Sequence, residues 1–186
     1  DKHIQRTKDA VKHLNDLLED FLSLGRLEEG KVSPEPAGFP LRDFLEELTE
    51  EMQSLAKPDQ AIHCPYTDGQ VLYTDKRLLK NTLVTLLSNA IKFSAEGAPI
   101  YLETVHLPGE MLRITVRDNG IGISDEDQQH LFSSFFRGTN AVNIDGTGLG
   151  LHIARRYMDL LQGSISIQSA VDAGTTVTIE LPEKLA

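Results

Sequence analysis

Asp118-Asn119-Gly120-Ile121-Gly122-Ile123 and, beginning 28 residues after Asp118, Gly146-Thr147-Gly148-Leu149-Gly150-Leu151 are the two stretches on which the reading of this chain turns. The first follows Leu112-Arg113-Ile114-Thr115-Val116, whose alternation predicts a strand over 111–117. Two glycines two apart let a backbone approach a ligand closely. A carboxylate at a strand end can accept a hydrogen bond from an amino group. Adenine offers one at its exocyclic nitrogen; guanine offers a carbonyl oxygen there and would meet the carboxylate repulsively. An Asx turn with glycines accounts for the same residues without a ligand. The second stretch opens a helix predicted over 149–162. Glycines at a helix start expose unpaired N–H groups at the positive end of the dipole, which suits phosphate. Its G-x-G-x-G spacing is neither the G-x-G-x-x-G nor the G-x-x-x-x-G-K-S/T pattern. Between the two lies a polar segment containing Leu131-Phe132-Ser133-Ser134-Phe135-Phe136-Arg137-Gly138. A segment that long with few apolar anchors reads as a mobile lid, and Arg137 is the cation in it best placed to reach a phosphate.

Upstream, Asp75 reads as the N-cap of a helix over 76–93. Leu79, Leu83, Leu86, Leu87, Ala90 and Ile91 form its core face, while Asn81, Thr85, Asn89 and Lys92 recur at four, four and three residues as a polar stripe. A neutral amide oxygen completes the shell of Mg²⁺ beside an anionic triphosphate without adding repulsion, and a lysine meets phosphate as a point charge. A solvated helix face explains the stripe equally. The segments 99–107 and 111–117 read as a hairpin through Pro108-Gly109-Glu110, and 163–169 with 175–181 as a second, turned at 171–174. Short strands at 61–66 and 70–74 flank Thr67-Asp68-Gly69. Leu41, Phe44, Leu45, Leu48, Met52 and Leu55 space a helix over 41–57, ended by Pro58. The run GKVSPEPAGFP (30–40) reads as a linker. Ile4, Val11, Leu14, Leu18 and Phe21 mark an N-terminal helix over 4–29; at about 1.5 Å per residue it is nearly 40 Å long and needs partner helices to cover its leucines. Helices and antiparallel strands together imply an α+β fold, a two-layer α/β sandwich preceded by that long helix.

The 186 residues carry 18 basic and 28 acidic side chains, a net charge of −10, with 40% hydrophobic residues. That balance supports a globular core and argues against nucleic-acid binding and against an anionic membrane surface. The single cysteine, Cys64, excludes a disulfide framework and a cysteine-based zinc cluster. No apolar run reaches the ~18–20 residues of a spanning helix. The expectation is a soluble cytoplasmic piece of something longer, making no direct membrane contact.

In order and spacing, the polar asparagine helix, D-N-G-I-G-I, the phenylalanine-rich segment and G-T-G-L-G-L resemble the ATP-binding catalytic domain of bacterial sensor histidine kinases. The likeness covers roughly 39–182, and residues 14–30 resemble the end of that family's second dimerisation helix. It implies a Bergerat-type fold, a mixed five-stranded sheet with three helices. It implies three parts: 1–30, the second helix of a dimerisation and phosphoacceptor hairpin; 31–40, a linker; and 41–186, the kinase catalytic domain. It further implies that ATP and Mg²⁺ bind, with Asn89 on the metal, Lys92 and Phe93 beside the nucleotide, and Asp118 on the adenine amino group. Gly120, Gly122 and Ile123 would shape the pocket, Gly146, Thr147, Gly148, Leu149 and Gly150 would border the phosphates with Arg137, and Thr176 would lie near adenine. The implied partners are a second copy of the parent protein, through the N-terminal helix, and a response-regulator receiver domain; the parent would be a cytoplasmic enzyme, free or anchored in the inner membrane.

Two departures from the family pattern stand out. Thr85 occupies the position, four before Asn89, where the family commonly has asparagine. None of the six histidines is followed by an acidic residue, as the family's acceptor is; His3 and His13 read as residues of the polar face of the N-terminal helix and His152 as structural. The acceptor is therefore expected upstream of Asp1, and this chain is expected to bind ATP without phosphorylating itself. The rival readings are a regulatory or dimerisation module of the same fold that has lost nucleotide binding, and an ATPase of the broader chaperone and gyrase type that drives a clamp.

Overall fold

Strand alternation organises the molecule around β5 (Met111–Asp118), in which Leu112, Ile114, Val116 and Asp118 are buried on one side. The computed structural model describes residues 2–66, 69–144 and 146–186. Among these, β5 is third in a five-stranded sheet of order β2 (Ile62–His63), β4 (Ile100–Leu107), β5, β7 (Thr175–Pro182), β6 (Ser164–Ser169). The pairs β4/β5, β5/β7 and β6/β7 are antiparallel and β2/β4 is parallel, so the sheet is mixed. Helices α2 (Leu41–Gln53), α3 (Lys76–Phe93) and α5 (Gly150–Leu160) cover one face. Leu45 and Leu48, Leu79, Leu83 and Leu87, and Met158 join Ile100, Leu102, Ile114, Ile179 and Leu181 in one core. The expected sandwich of a five-stranded mixed sheet and three helices, preceded by a long helix, is the architecture found. The face turned away from the helices carries a register row of His63, Tyr101, Arg117, Thr176 and Gln168. Within it, His63 stacks on Tyr101 at 5.2 Å and the Arg117 guanidinium lies 4.2 Å from the Tyr101 ring centre.

The helix expected over 76–93 has those bounds, and the Asp75 side chain accepts the N–H of Leu78, as an N-cap does. The segments around Thr67-Asp68-Gly69 differ from expectation, although Thr67 and Asp68 themselves lie outside the described residues. They do not pair with each other. Instead β3 (Val71–Thr74) pairs with β1 (Ala37–Pro40), the last four residues of the stretch read as linker. Phe39 and Leu72 lie opposite in that register and are both buried. The other edge of β3 is taken by the chain end, where Tyr73 N–H donates to Glu183 O (2.9 Å) and Leu185 N–H to Tyr73 O (2.8 Å). With β1 on one side and residues 183–185 on the other, β3 is paired without β2. Helix α2 ends at Gln53, about one turn short of its 41–57 reading.

The N-terminal helix α1 spans Lys2–Glu28. Leu24 and Leu27 are buried in the core, while Val11, Leu14, Leu18 and Phe21 remain exposed. The last turns of α1 enter the core, while the apolar stripe of Val11, Leu14, Leu18 and Phe21 is uncovered among the described residues.

Candidate functional site

A cavity of about 690 Å³ opens between α1, α3, the turn after β5 and the segment preceding α5. That is the size of pockets that enclose a small organic ligand. Its floor is apolar, from Val116, Ile121 and Val177. Asp118 joins this floor because the two-residue period of β5 continues inward for one more step. Asp118 as a residue is 8% exposed. Its Oδ1 accepts the N–H of Gly120 at 2.8 Å. Burial pushes the Asp118 carboxyl above its ordinary value, against the lowering effect of backbone N–H groups of Gly120 and Thr175.

The glycines of the turn are there for space. A Cβ at Gly120 would lie 2.4 Å from the Phe93 carbonyl oxygen, and one at Gly122 (φ +67°) 1.8 Å from that of Ala170. Backbone bonds fasten the turn on both sides. Ile121 N–H donates to Phe93 O (3.1 Å), and Asp172 N–H to Ile121 O (2.8 Å). Ile123 N–H donates to Ser169 Oγ (2.9 Å).

Helix α3 presents Thr85, Asn89, Lys92 and Phe93 to the cavity; Asn81, one turn back, is not on its wall. Thr85 turns its hydroxyl away, donating to Asn81 O at 3.1 Å. Its methyl lies 3.2 Å from where a Cβ at Gly150 would be. The Lys92 ammonium is 5.4 Å from the Phe93 ring centre and 3.4 Å from the Cβ position of Gly146. Gly146, Thr147, Gly148 and Gly150 line the opposite wall at the start of α5.

Three expected residues are not on the wall. Gly120 acts from behind, through the Phe93 carbonyl, and Leu149 is 1% exposed in the core. Thr176 lies on the far face of the sheet in the row with Arg117 and Gln168; Thr175 faces the cavity in its place, because it shares the inward parity of Val177. Arg137 lines the cavity but does not reach across it. Its guanidinium donates to the carbonyls of Ala141 (3.2 Å), Val142 (3.1 Å) and Ile144, at and just beyond the end of the short 3₁₀ turn Thr139–Ala141. One terminal nitrogen of the guanidinium faces all three carbonyls, so Arg137 first staples its own loop.

The segment between the two glycine stretches is pinned by polar contacts. Asp127, in the single-turn α4 (Asp125–Gln128), accepts the N–H and hydroxyl of Thr139 at 2.8 and 2.9 Å, which hold its carboxyl below the ordinary value. Asn140 Nδ2 donates to Gly122 O at 3.0 Å. His152 Nδ1 lies 2.9 Å from Phe132 O, and Arg155 sits over the Phe132 ring. Composition gave no sign of one remaining wall, contributed by α1 with Asp16, Glu19 and Asp20. The Thr147 hydroxyl donates to Asp20 Oδ2 at 2.6 Å and accepts the N–H of Leu149 at 3.1 Å.

Among the described residues no group of three or more His, Cys, Asp or Glu side chains is gathered to hold a metal ion. A lone amide oxygen such as that of Asn89 fits a hard cation that takes most of its ligands from phosphate and water.

The family of histidine kinase-, DNA gyrase B-, and HSP90-like ATPases matches over residues 74–185. The virulence sensor protein BvgS of Bordetella bronchiseptica is 32% identical over 186 residues, covering 96% of this chain; the chain spans 15% of that protein. Full-length ShkA, crystallised in complex with AMPPNP, superposes with a TM-score of 0.79 at 23% identity, over 100% of this chain and 39% of that one. Histidine kinase ThkA, crystallised in complex with the response regulator protein TrrA, gives a TM-score of 0.74 at 23% identity, over 99% of this chain and 51% of that one.

Proposed function

Because the chain belongs to the family of histidine kinase-, DNA gyrase B- and HSP90-like ATPases, we propose that it binds ATP with Mg²⁺ in the cavity beside Asp118, as the catalytic domain of a sensor histidine kinase. In this reading residues 41–186 are the nucleotide-binding unit, 31–40 join it to the parent, and 1–30 are half of a dimerisation hairpin. The observation that carries it is one buried carboxylate and one glycine turn on a helix N-terminus, facing each other across a single cavity. Asp118 accepts the adenine amino hydrogen, and Val116, Ile121 and Val177 border the ring. Asn89 offers its amide oxygen to the metal, and Lys92 and the Gly146–Gly150 turn meet the phosphates. Mg²⁺ held there would supply charge neutralisation for the phosphates, with Asn89 and Lys92 keeping their places beside it. Arg137 contributes by holding the lid in shape. The γ-phosphoryl group goes to a histidine of the parent protein beyond these residues, and from there to a response-regulator receiver domain. The exposed stripe of α1 is the face through which the parent dimerises. No helix among the described residues is long and apolar enough to cross a membrane, and the domain is proposed to work in the cytoplasm.

Titration calorimetry tests this directly. ATP is expected to bind at micromolar concentration with Mg²⁺, and absence of binding would overturn the reading. Incubation with labelled ATP is expected to leave no phosphohistidine on this chain. Asn89→Ala should remove about tenfold of the affinity measured with Mg²⁺ and almost none of that measured with chelator; equal losses would take Asn89 off the metal.

The raised Asp118 carboxyl sets a pH dependence. The folded chain holds that proton more tightly than the unfolded chain, so this group's contribution to stability falls as pH rises from its ordinary value through the raised one. Adenine needs the ionised form, so ATP affinity rises with pH through the same window. Calorimetry across a pH series should show that rise in the native chain and its loss in Asp118→Asn.

One observation favours the rival reading of a module without nucleotide. The Thr85 hydroxyl is committed to the Asn81 carbonyl rather than turned to the cavity. The same calorimetry decides between the two.

A further inference from the structure

Lys57 lies in the turn after α2 and is not on the cavity wall. Its ammonium donates to the carbonyl oxygens of Lys92 (3.0 Å) and Ser94. The carbonyl between them, that of Phe93, accepts the N–H of Ile121. Three successive carbonyls at the end of α3 are thus held alternately by a cation and by the glycine turn. A cation belongs there, because the last carbonyls of a helix lack partners within it and form the negative end of its dipole. The turn carrying Lys57 is itself fixed. Buried Gln60 accepts the Lys57 N–H at Oε1 (3.1 Å) and donates its own N–H to Lys57 O (3.1 Å), and Gly97 N–H donates to Pro58 O (3.0 Å).

We propose that Lys57 is a positioning residue for the nucleotide site, a role that rests on the function proposed above. It fixes the last turn of α3, with Asn89, Lys92 and Phe93, at the distance from Asp118 that one ligand must span. Each of those residues would remain present without Lys57. What would go is their alignment, on which a ligand gripped at both ends depends far more than a ligand gripped at one.

The test compares Lys57→Met and Lys57→Arg with the native chain, using Mg²⁺–ATP, adenosine, and amide hydrogen exchange of the ligand-free protein. Lys57→Met is expected to lose about tenfold in ATP affinity and less than about twofold in adenosine affinity, because adenosine uses only the Asp118 side. Exchange at the Ile121 amide should quicken. Lys57→Arg, which keeps donors for both carbonyls, should restore both properties. Equal losses for ATP and adenosine, or unchanged Ile121 exchange, would make Lys57 a stability residue only and overturn the proposal. A native chain that bound neither ligand would overturn the functional reading and this role with it, whereas native binding of both with a parallel loss in Lys57→Met overturns the role of Lys57 alone.

Discussion

Asp118→Asn is expected to lower ATP affinity about a hundredfold, the cost of turning one buried acceptor into a donor facing a donor. The carboxylate accepts the backbone N–H groups of Gly120 and Thr175 and has a lone pair left for a ligand. An amide of the same shape has only one accepting oxygen. If that oxygen keeps the turn together, its NH₂ meets the adenine amino group; if it serves the ligand, a backbone N–H is left facing the NH₂. Either way one donor is orphaned in a site with little water. The preference for ATP over GTP should shrink with the affinity, since guanine's carbonyl oxygen is no longer repelled. Calorimetry with both nucleotides, on protein shown by its cooperative melt to be folded, reads the effect. Unchanged ATP affinity would remove Asp118 from the recognition of the base.

The second large effect is expected at Gly122. An added methyl would stand 1.8 Å from the Ala170 carbonyl oxygen and 2.7 Å from its carbon, at φ +67°. The obstacle is backbone, so no side-chain rotation relieves it. Either the turn after β5 or the turn between β6 and β7 has to shift, against the Asp172–Ile121 and Ile123–Ser169 hydrogen bonds. Gly122→Ala should cost about 3 kcal/mol, a fall of roughly 10 °C in melting temperature for a domain of this size, and abolish measurable ATP binding. Gly25→Ala is the matched control. It lies within α1 with nothing inside 4 Å of the new methyl, and it should melt no lower than the native chain.

Much of the framework was legible because it is local. The leucine spacing and the Asp75 cap define α3 within twenty residues of chain, and the alternation of β5 runs straight into Asp118. What escaped was set by distant pairings. The choice of β1 rather than β2 as the partner of β3 depends on Phe39 opposite Leu72 and on the chain end at Glu183 and Leu185. A strand pattern names both Thr175 and Thr176; one step of register decides which faces the cavity. Arg137 illustrates another limit, since charge and position suggest a phosphate but not the three loop carbonyls that occupy it. Lys57 carried no motif at all, because a helix-capping cation contributed from another element leaves no spacing to read.

The Thr147–Asp20 hydrogen bond joins positions 127 residues apart and runs from the glycine turn to α1. On the function proposed above, a shift of α1 reaches the rim of the pocket through this hydroxyl as well as through buried Leu24 and Leu27. The transmission works in both directions, because linked equilibria are reciprocal. On that reading, a ligand that draws Thr147 inward weakens its bond to Asp20, and a displaced Asp20 changes the rim in turn.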